Sequence, residues 1–366
     1  MSFSLVNSSF TEAQFGLKLL GDLSATQLVP CVFSPVSILL SLALVHLGAK
    51  GHTKNEIRDG IVNGSTDAEF VEHFSFMNKL VNNSVNDVET LIANRLFVAP
   101  EQAIRKAFID DLNEHYNAAS AQIDFKDQQN AAKLINAYIS ESTKGKITEM
   151  IKADTLKDVD AILVNAVFFQ GDWRRRFEAP AESNFSISAS EHRLVPMMRD
   201  LREYFYNKDD EWQVIGIPFK DKSAWFAILL PTRRFGLRQS LKSLNAAQFH
   251  NLINNVYRQS VYLTFPKFKQ DYAINLKEAL AKFGLSEVFT ERADLSGIGP
   301  GLQLAAASHQ ALIEVDQVGT RAAAVTEAKL FFTSAAEGTP LNIRADHPFV
   351  YAIIRDQTPL FMGIYT

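Results

Sequence analysis

Residues 36–47, VSILLSLALVHL, are apolar at nine of twelve positions, and the apolar side chains fall on nearly every side of a helix. Such a helix must be covered on nearly all sides, so the chain has to wrap other elements around it. Ser34-Pro35 in front supplies a side-chain cap and a proline at the first turn, and Gly48 and Gly51 stop it. A length of 366 residues, 47% hydrophobic and 21% charged, is enough material for that wrapping. No Pro/Gly/Ser-rich linker, charge block or repeat divides residues 1–366, so one domain is expected.

Helical periodicity continues at 10–23, 66–82 and 128–141, and Thr53-Lys54-Asn55-Glu56 has the form of a capping box opening a further helix. Strand-like runs occupy 90–98, 161–169, 212–218, 224–230, 261–265, 311–315 and 348–354. Helices dominate the first third and strands the rest. That order predicts α+β, with helices packed on large, mainly antiparallel sheets.

Several function classes are disfavoured. A formal net charge of −4 argues against nucleic acid. The basic clusters Arg174-Arg175-Arg176 and Arg233-Arg234 read as solvated surface. The longest unbroken apolar run, 224–230, is far short of the ~20 residues of a membrane span. The start of the chain lacks a basic segment followed by an apolar one, and Cys31 is the single cysteine. A cytoplasmic, reducing location is therefore expected, with release without a signal peptide as the alternative. The sequons at Asn7, Asn63, Asn82 and Asn184 matter only in a secretory setting. No nucleophile elbow, zinc helix or phosphate loop occurs, so no catalytic residue, metal ligand or cofactor is assigned. Gly297-Ile298-Gly299-Pro300-Gly301 suits a turn. Cys31, beside Val29, Val32 and Phe33, suits a buried core thiol, and His309, ahead of strand 311–315, suits a satisfied sheet histidine.

Residues 315–328, VDQVGTRAAAVTEA, carry an unusual alternation. With period 2, Thr320, Ala322, Ala324, Thr326 and Ala328 are all small and uncharged. The other set, with Arg321, Ala323, Val325, Glu327 and Lys329, holds every charge from Thr320 onward. Alanine favours helix, but this alternation also allows a strand that slides between two others with its small face inward.

The motifs together resemble the serpins. Ser34-Pro35-Val36-Ser37-Ile38 with Leu47-Gly48-Ala49-Lys50-Gly51-His52-Thr53 is similar to the family's N-terminal signature, and Val164-Asn165-Ala166-Val167-Phe168-Phe169-Gln170-Gly171-Asp172-Trp173 to its strand and turn. Phe265-Pro266-Lys267-Phe268, Phe283-Gly284-Leu285, Ala293-Asp294-Leu295-Ser296-Gly297, His309 with 311–320, His347-Pro348-Phe349 and Pro359-Leu360-Phe361-Met362-Gly363 follow in order.

The resemblance, which runs from about residue 10 onward, implies three β-sheets, eight or nine helices and an exposed reactive-centre loop at about 320–345. It implies a monomeric suicide inhibitor that is not an enzyme. A protease cuts the loop and forms an acyl-enzyme, and the cut loop inserts into the large sheet and distorts the attached protease. Roughly 20 new ladder hydrogen bonds at about 1 kcal/mol net each would release on the order of 20 kcal/mol, which a metastable uncut state can store. Gly319, Thr320, Ala322, Ala323, Ala324 and Thr326 match the hinge. Ser34, Ser37, Asn165 and His309 match the polar cluster beneath the opening sheet (the shutter), and Trp173 the top of the sheet (the breach).

Three departures stand out. Gln317 replaces the Glu that would pair with Lys267, so the breach ion pair is expected to be absent or reduced to a hydrogen bond, with Asp316 as a substitute acid. That change would ease both insertion and loop-sheet polymerisation. Arg321 replaces an acid on the outward face, and Pro30 an Asn.

Family spacing from Gly319 places the scissile bond at Thr333-Ser334, or Ser334-Ala335 after a one-residue slip. Small residues there suit elastase-like enzymes. Phe332 in the neighbouring subsite suits papain-like cathepsins, and cleavage at Phe331 or Phe332 a chymotrypsin-like enzyme. Counting back from His347-Pro348 reaches Glu337 and an acid-specific protease. A non-inhibitory carrier or chaperone is the competing class, although its hinge would typically carry bulkier or charged residues.

Overall fold

A computed structural model describes residues 5–82, 88–319 and 339–366 of the chain, with side chains from residue 10. Its helices are α1 (Leu5–Leu23), α2 (Pro35–Gly48), α3 (Gly51–Ile61), α4 (Asp67–Asn82), α5 (Lys106–Tyr116), α6 (Gln128–Ser142), α7 (Leu237–Ser243), α8 (Ala246–Asn254) and α9 (Leu276–Ala281). Its strands are β1 (Cys31–Phe33), β2 (Val88–Val98), β3 (Ser120–Gln122), β4 (Ala161–Gly171), β5 (Ala181–Ser186), β6 (His192–Lys208), β7 (Trp212–Pro218), β8 (Ala224–Pro231), β9 (Tyr257–Pro266), β10 (Phe268–Asn275), β11 (Ala306–Val315), β12 (Leu341–Arg344), β13 (Phe349–Arg355) and β14 (Thr358–Tyr365). Nine α-helices among the described residues and mixed sheets make this the α+β architecture expected.

Hydrogen bonding groups the strands into a five-stranded sheet, β10-β11-β4-β2-β3, and a nine-stranded one, β1-β14-β13-β8-β7-β6-β9-β12 with β5 on β6. The two smaller of the three expected sheets are continuous here because of the seventeen-residue β6. Its first residues pair β5, its middle pairs β9, and Phe205 to Lys208 pair β7. Most ladders are antiparallel, but β11–β4, β12–β9 and β2–β3 are parallel.

The five-stranded sheet is covered on both faces. In β4, Ala161, Leu163, Val167 and Phe169 belong to the main core with α2. Ile162, Val164, Ala166 and Phe168 pack instead with Ala131, Ala132, Ile135 and Ile139 of α6. The period of 2 sends alternate residues to opposite faces, so Asn165 is a polar interruption on the α2 face. In α2 every residue but Leu47 is buried. Ser34 caps the helix by accepting the Ser37 N–H at 3.1 Å.

The capping box expected at Thr53–Glu56 does not form. α3 starts earlier, at Gly51, and its N-cap Lys50 makes no side-chain bond. Thr53 Oγ1 instead donates to Glu287 Oε1 at 2.7 Å and accepts from Asp294 N at 2.9 Å. Glu56 Oε1 accepts from Ser286 N and Glu287 N. A long-range partner outcompetes the local one. The reciprocal box forms at the next helix, where Glu69 Oε2 accepts from Thr66 N at 2.8 Å and Thr66 Oγ1 from Glu69 N at 3.3 Å.

Cys31 is fully buried on β1, and burial pushes its thiol up to about 12. Gly297–Gly301 lies in turns, as its composition suggests. No described helix is long and apolar enough to cross a membrane.

Candidate functional site: the β4–β11 seam

β4 and β11 are adjacent and parallel, paired from Ile162↔Ala306 to Phe169↔Ile313. In the middle of this seam the register sets Asn94 of β2 beside Asn165 of β4, and Asn165 beside His309 of β11. All three lie on the face toward α2. His309 is wholly buried, and desolvation lowers its pKa to about 3, so the ring is neutral. Its Nε2 accepts the Ser34 N–H at 3.2 Å, which places the proton on Nδ1. Nδ1–H then donates to Asn165 Oδ1 at 2.5 Å. The Asn165 amide passes the chain on to Ser37 Oγ at 2.7 Å. Each bond fixes the polarity of the next. The network thus ties both strands of the seam to the first turn of α2.

Two members were not recognised in the sequence. Ser41 Oγ bonds both Ser37 O at 2.9 Å and Asn94 Oδ1 at 3.0 Å. The available signals were the serines at 34, 37 and 41, which share one helix face, and an Asn within the strand-like run 90–98.

The upper end of the seam is built differently. Trp173, 3% exposed, stacks on Phe219 at 4.8 Å and meets Phe177 and Phe226 edge-on. Its indole N–H donates to Asp316 O at 2.7 Å and its backbone N–H to Val318 O at 3.0 Å. Phe177 N–H reaches Gln317 O at 2.8 Å. Lys267 Nζ meets Gln317 Oε1 at 3.4 Å, the weak hydrogen bond expected in place of an ion pair. Asp316 does not act as the substitute acid. Its Oδ1 accepts from Val318 N at 2.8 Å and Gly319 N at 3.1 Å, closing a turn on its own backbone.

Gly319 bridges Asp172, the residue after β4. It sits at φ +141°, and a Cβ there would stand 2.3 Å from Gly171 O and 2.5 Å from Asp172 Cα. Only glycine fits. The expected hinge and bait positions Thr320, Ala322, Ala323, Ala324, Thr326, Phe331, Phe332, Thr333, Ser334 and Glu337 lie outside the described residues.

These features define a class: α+β proteins in which two parallel strands meet at a buried polar latch, with the chain leaving one of them beside a tryptophan at the seam's end. The family model described as serpin (serine protease inhibitor) matches residues 11–366. The leukocyte elastase inhibitor of Xenopus tropicalis is 31% identical over 350 residues, 91% of this chain and 92% of that one. Serpin48 of the insect Tenebrio molitor superposes with a TM-score of 0.90 at 26% identity, covering 99% and 98% of the two chains. Human thyroxine-binding globulin, complexed with thyroxine, gives 0.87 at 26% identity, covering 98% and 97%. The chain belongs to the serpin family.

Proposed function

We propose that this serpin is a protease inhibitor of the suicide-substrate type, working by insertion of its cleaved loop into the β4–β11 seam. The observation that carries this reading is the parallel pairing of β4 with β11, with no strand between them. The chain leaves β11 at its C-terminal end, beside the end of β4. Any segment that turns back into the seam from Gly319 therefore runs antiparallel to both strands. One parallel ladder would be exchanged for two antiparallel ones, which pair slightly more strongly per residue. The small set Thr320, Ala322, Ala324, Thr326 and Ala328 adds little bulk to a sheet packed on both faces.

In this reading the Ser34–His309–Asn165–Ser37 network is the latch that must rearrange, and Trp173, Lys267 and Gln317 form the clasp released first. Thr333-Ser334 is the scissile bond and an elastase-like serine protease the leading target, supported by the elastase-inhibitor relative. Phe331 and Phe332 extend the range to chymotrypsin-like enzymes and papain-like cathepsins. The protein acts as a cytoplasmic monomer. A carrier role is the second reading, favoured by the likeness to thyroxine-binding globulin.

A denaturing gel after incubation with elastase-, chymotrypsin- and cathepsin-type proteases tests the proposal, with mass spectrometry of the released C-terminal peptide. A detergent-stable band at the summed mass, and a peptide beginning at Ser334, are expected. A charged residue at Thr320 or Ala322 should convert the inhibitor into a substrate, because its charge would enter the sheet interior at several kcal/mol. Cleavage without a covalent complex across the panel overturns inhibition and leaves the carrier reading.

A further inference from the structure

His52 and Glu56 stand one turn apart on α3, so both side chains leave the same face of the helix. The short 3-10 helix Glu287–Phe289 brings Glu287 against that face. One donor atom from each of the three residues lies within 4.8 Å of the other two, and His52 Nδ1 is 2.8 Å from Glu287 Oε2. Each carboxylate is anchored through one oxygen. Glu56 Oε1 accepts from Ser286 N at 2.5 Å and Glu287 N at 2.9 Å. Glu287 Oε1 accepts from the Thr53 hydroxyl at 2.7 Å. Among the described residues, Glu56 Oε2 has no hydrogen-bond partner and Glu287 Oε2 has only His52. No described lysine or arginine forms an ion pair with either glutamate.

Two carboxylates that converge without a basic partner favour a cation between them. The third member decides which cation. Calcium and magnesium prefer oxygen donors alone, whereas an imidazole nitrogen with carboxylate oxygens suits zinc. Three protein donors with water completing the shell is the open form of zinc coordination. The hydrogen bonds behind both carboxylates are the kind of outer support that fixes ligands at such centres. From this geometry we infer that His52, Glu56 and Glu287 form a zinc-binding site. Donors around zinc, at bond lengths of about 2.0–2.2 Å, stand roughly 3.3 Å apart. The His52 side chain, 77% exposed, is free to swing outward and admit the ion. The bound ion joins α3 to a residue 231 positions further along the chain than Glu56. Its ligands meet only in the folded protein, so zinc stabilises the native state.

The test is calorimetric titration of the intact native protein, cleared of metal with a chelator, using zinc chloride and calcium chloride. Saturable one-to-one zinc binding is expected, with calcium at least about tenfold weaker, since calcium gains little from an imidazole ligand. His52→Ala removes an exposed ring that bonds only Glu287 and should weaken zinc at least about tenfold, in line with the loss of one of three ligands. Glu56→Gln keeps an oxygen for Ser286 N and Glu287 N and replaces the other with an amide nitrogen, so the fold should persist while zinc affinity falls by a similar factor. Zinc should raise the thermal midpoint of the wild type and leave that of His52→Ala unchanged. Cobalt in place of zinc should give visible absorption bands that His52→Ala abolishes. Absence of saturable zinc binding overturns the inference, as does calcium binding as tight as zinc. Zinc affinity unchanged in both His52→Ala and Glu56→Gln would place the ion on other histidines and overturns it as well. The readout needs no protease, so it stands or falls separately from the inhibitory function.

Discussion

The middle and the top of the β4–β11 seam hold the same two strands by different physics. In the middle, a fully buried relay from Ser34 through His309 and Asn165 to Ser37 satisfies each polar group with one specific partner. At the top, the side-chain bond between Lys267 and Gln317 is 3.4 Å long, and holding falls to Trp173 and a few backbone bonds. A buried hydrogen-bond relay is all-or-none, because losing one member orphans the next. Aromatic packing gives way in proportion to the area lost. The seam is therefore latched sharply in its middle and clasped gradually at its end.

Removing the clasp's main mass should have the largest effect. Trp173→Ala empties a site enclosed by three phenylalanines and is expected to cost about 3–5 kcal/mol, read as a lower urea midpoint. His309→Leu comes next. It fills the space but strands the Ser34 N–H and the Asn165 carbonyl, at about 1–3 kcal/mol each. If it cost less than Phe219→Leu at the top, the latch would not be the sharper element.

Acid should reach the latch selectively. His309 is depressed from 6.5 to about 3 in the folded state. The unfolded chain therefore binds the extra proton first. The histidine's contribution is fully present above about pH 6.5 and is lost as pH falls toward 3. His46, lowered to about 4 by burial, acts with the same sign. The pH–stability curves of wild type and His309→Gln should therefore diverge only below about pH 6.5, and parallel curves would remove His309 from the account. The smallest effect is expected from Gln317→Glu. It restores a charged pair with Lys267 at a half-buried site, worth up to about 1 kcal/mol, and should slow spontaneous loss of activity on warming.

How far the sequence reached depended on the range of the interaction involved. The cap at Ser34-Pro35, the buried helix behind it and the strands at 161–169, 212–218 and 224–230 were legible because local chemistry and tertiary packing agree there. The box at Thr53 and Glu56 was misread because both side chains bond residues more than two hundred positions away. β6 was missed because it holds Pro196 and polar residues on both faces and serves three neighbours along its length, so no single alternation runs along it. Ser34, Ser37, Asn165 and His309 came from resemblance, and the register adds the reason they meet. Ser41 and Asn94 needed the register itself. The role expected of Asp316 failed because a short acid beside two free backbone N–H groups caps its own turn before it reaches a lysine.

One feature of the core also gives the latch a clock. Cys31 is hidden where β1 pairs with β14, three residues before Ser34. With its thiol held near 12, little thiolate exists at neutral pH. A maleimide would therefore label the chain only when β1 peels away and takes the root of α2 with it. Since no other sulfhydryl competes, the rate of that single alkylation counts the openings of the protein's interior one molecule at a time, with no substitution or added dye.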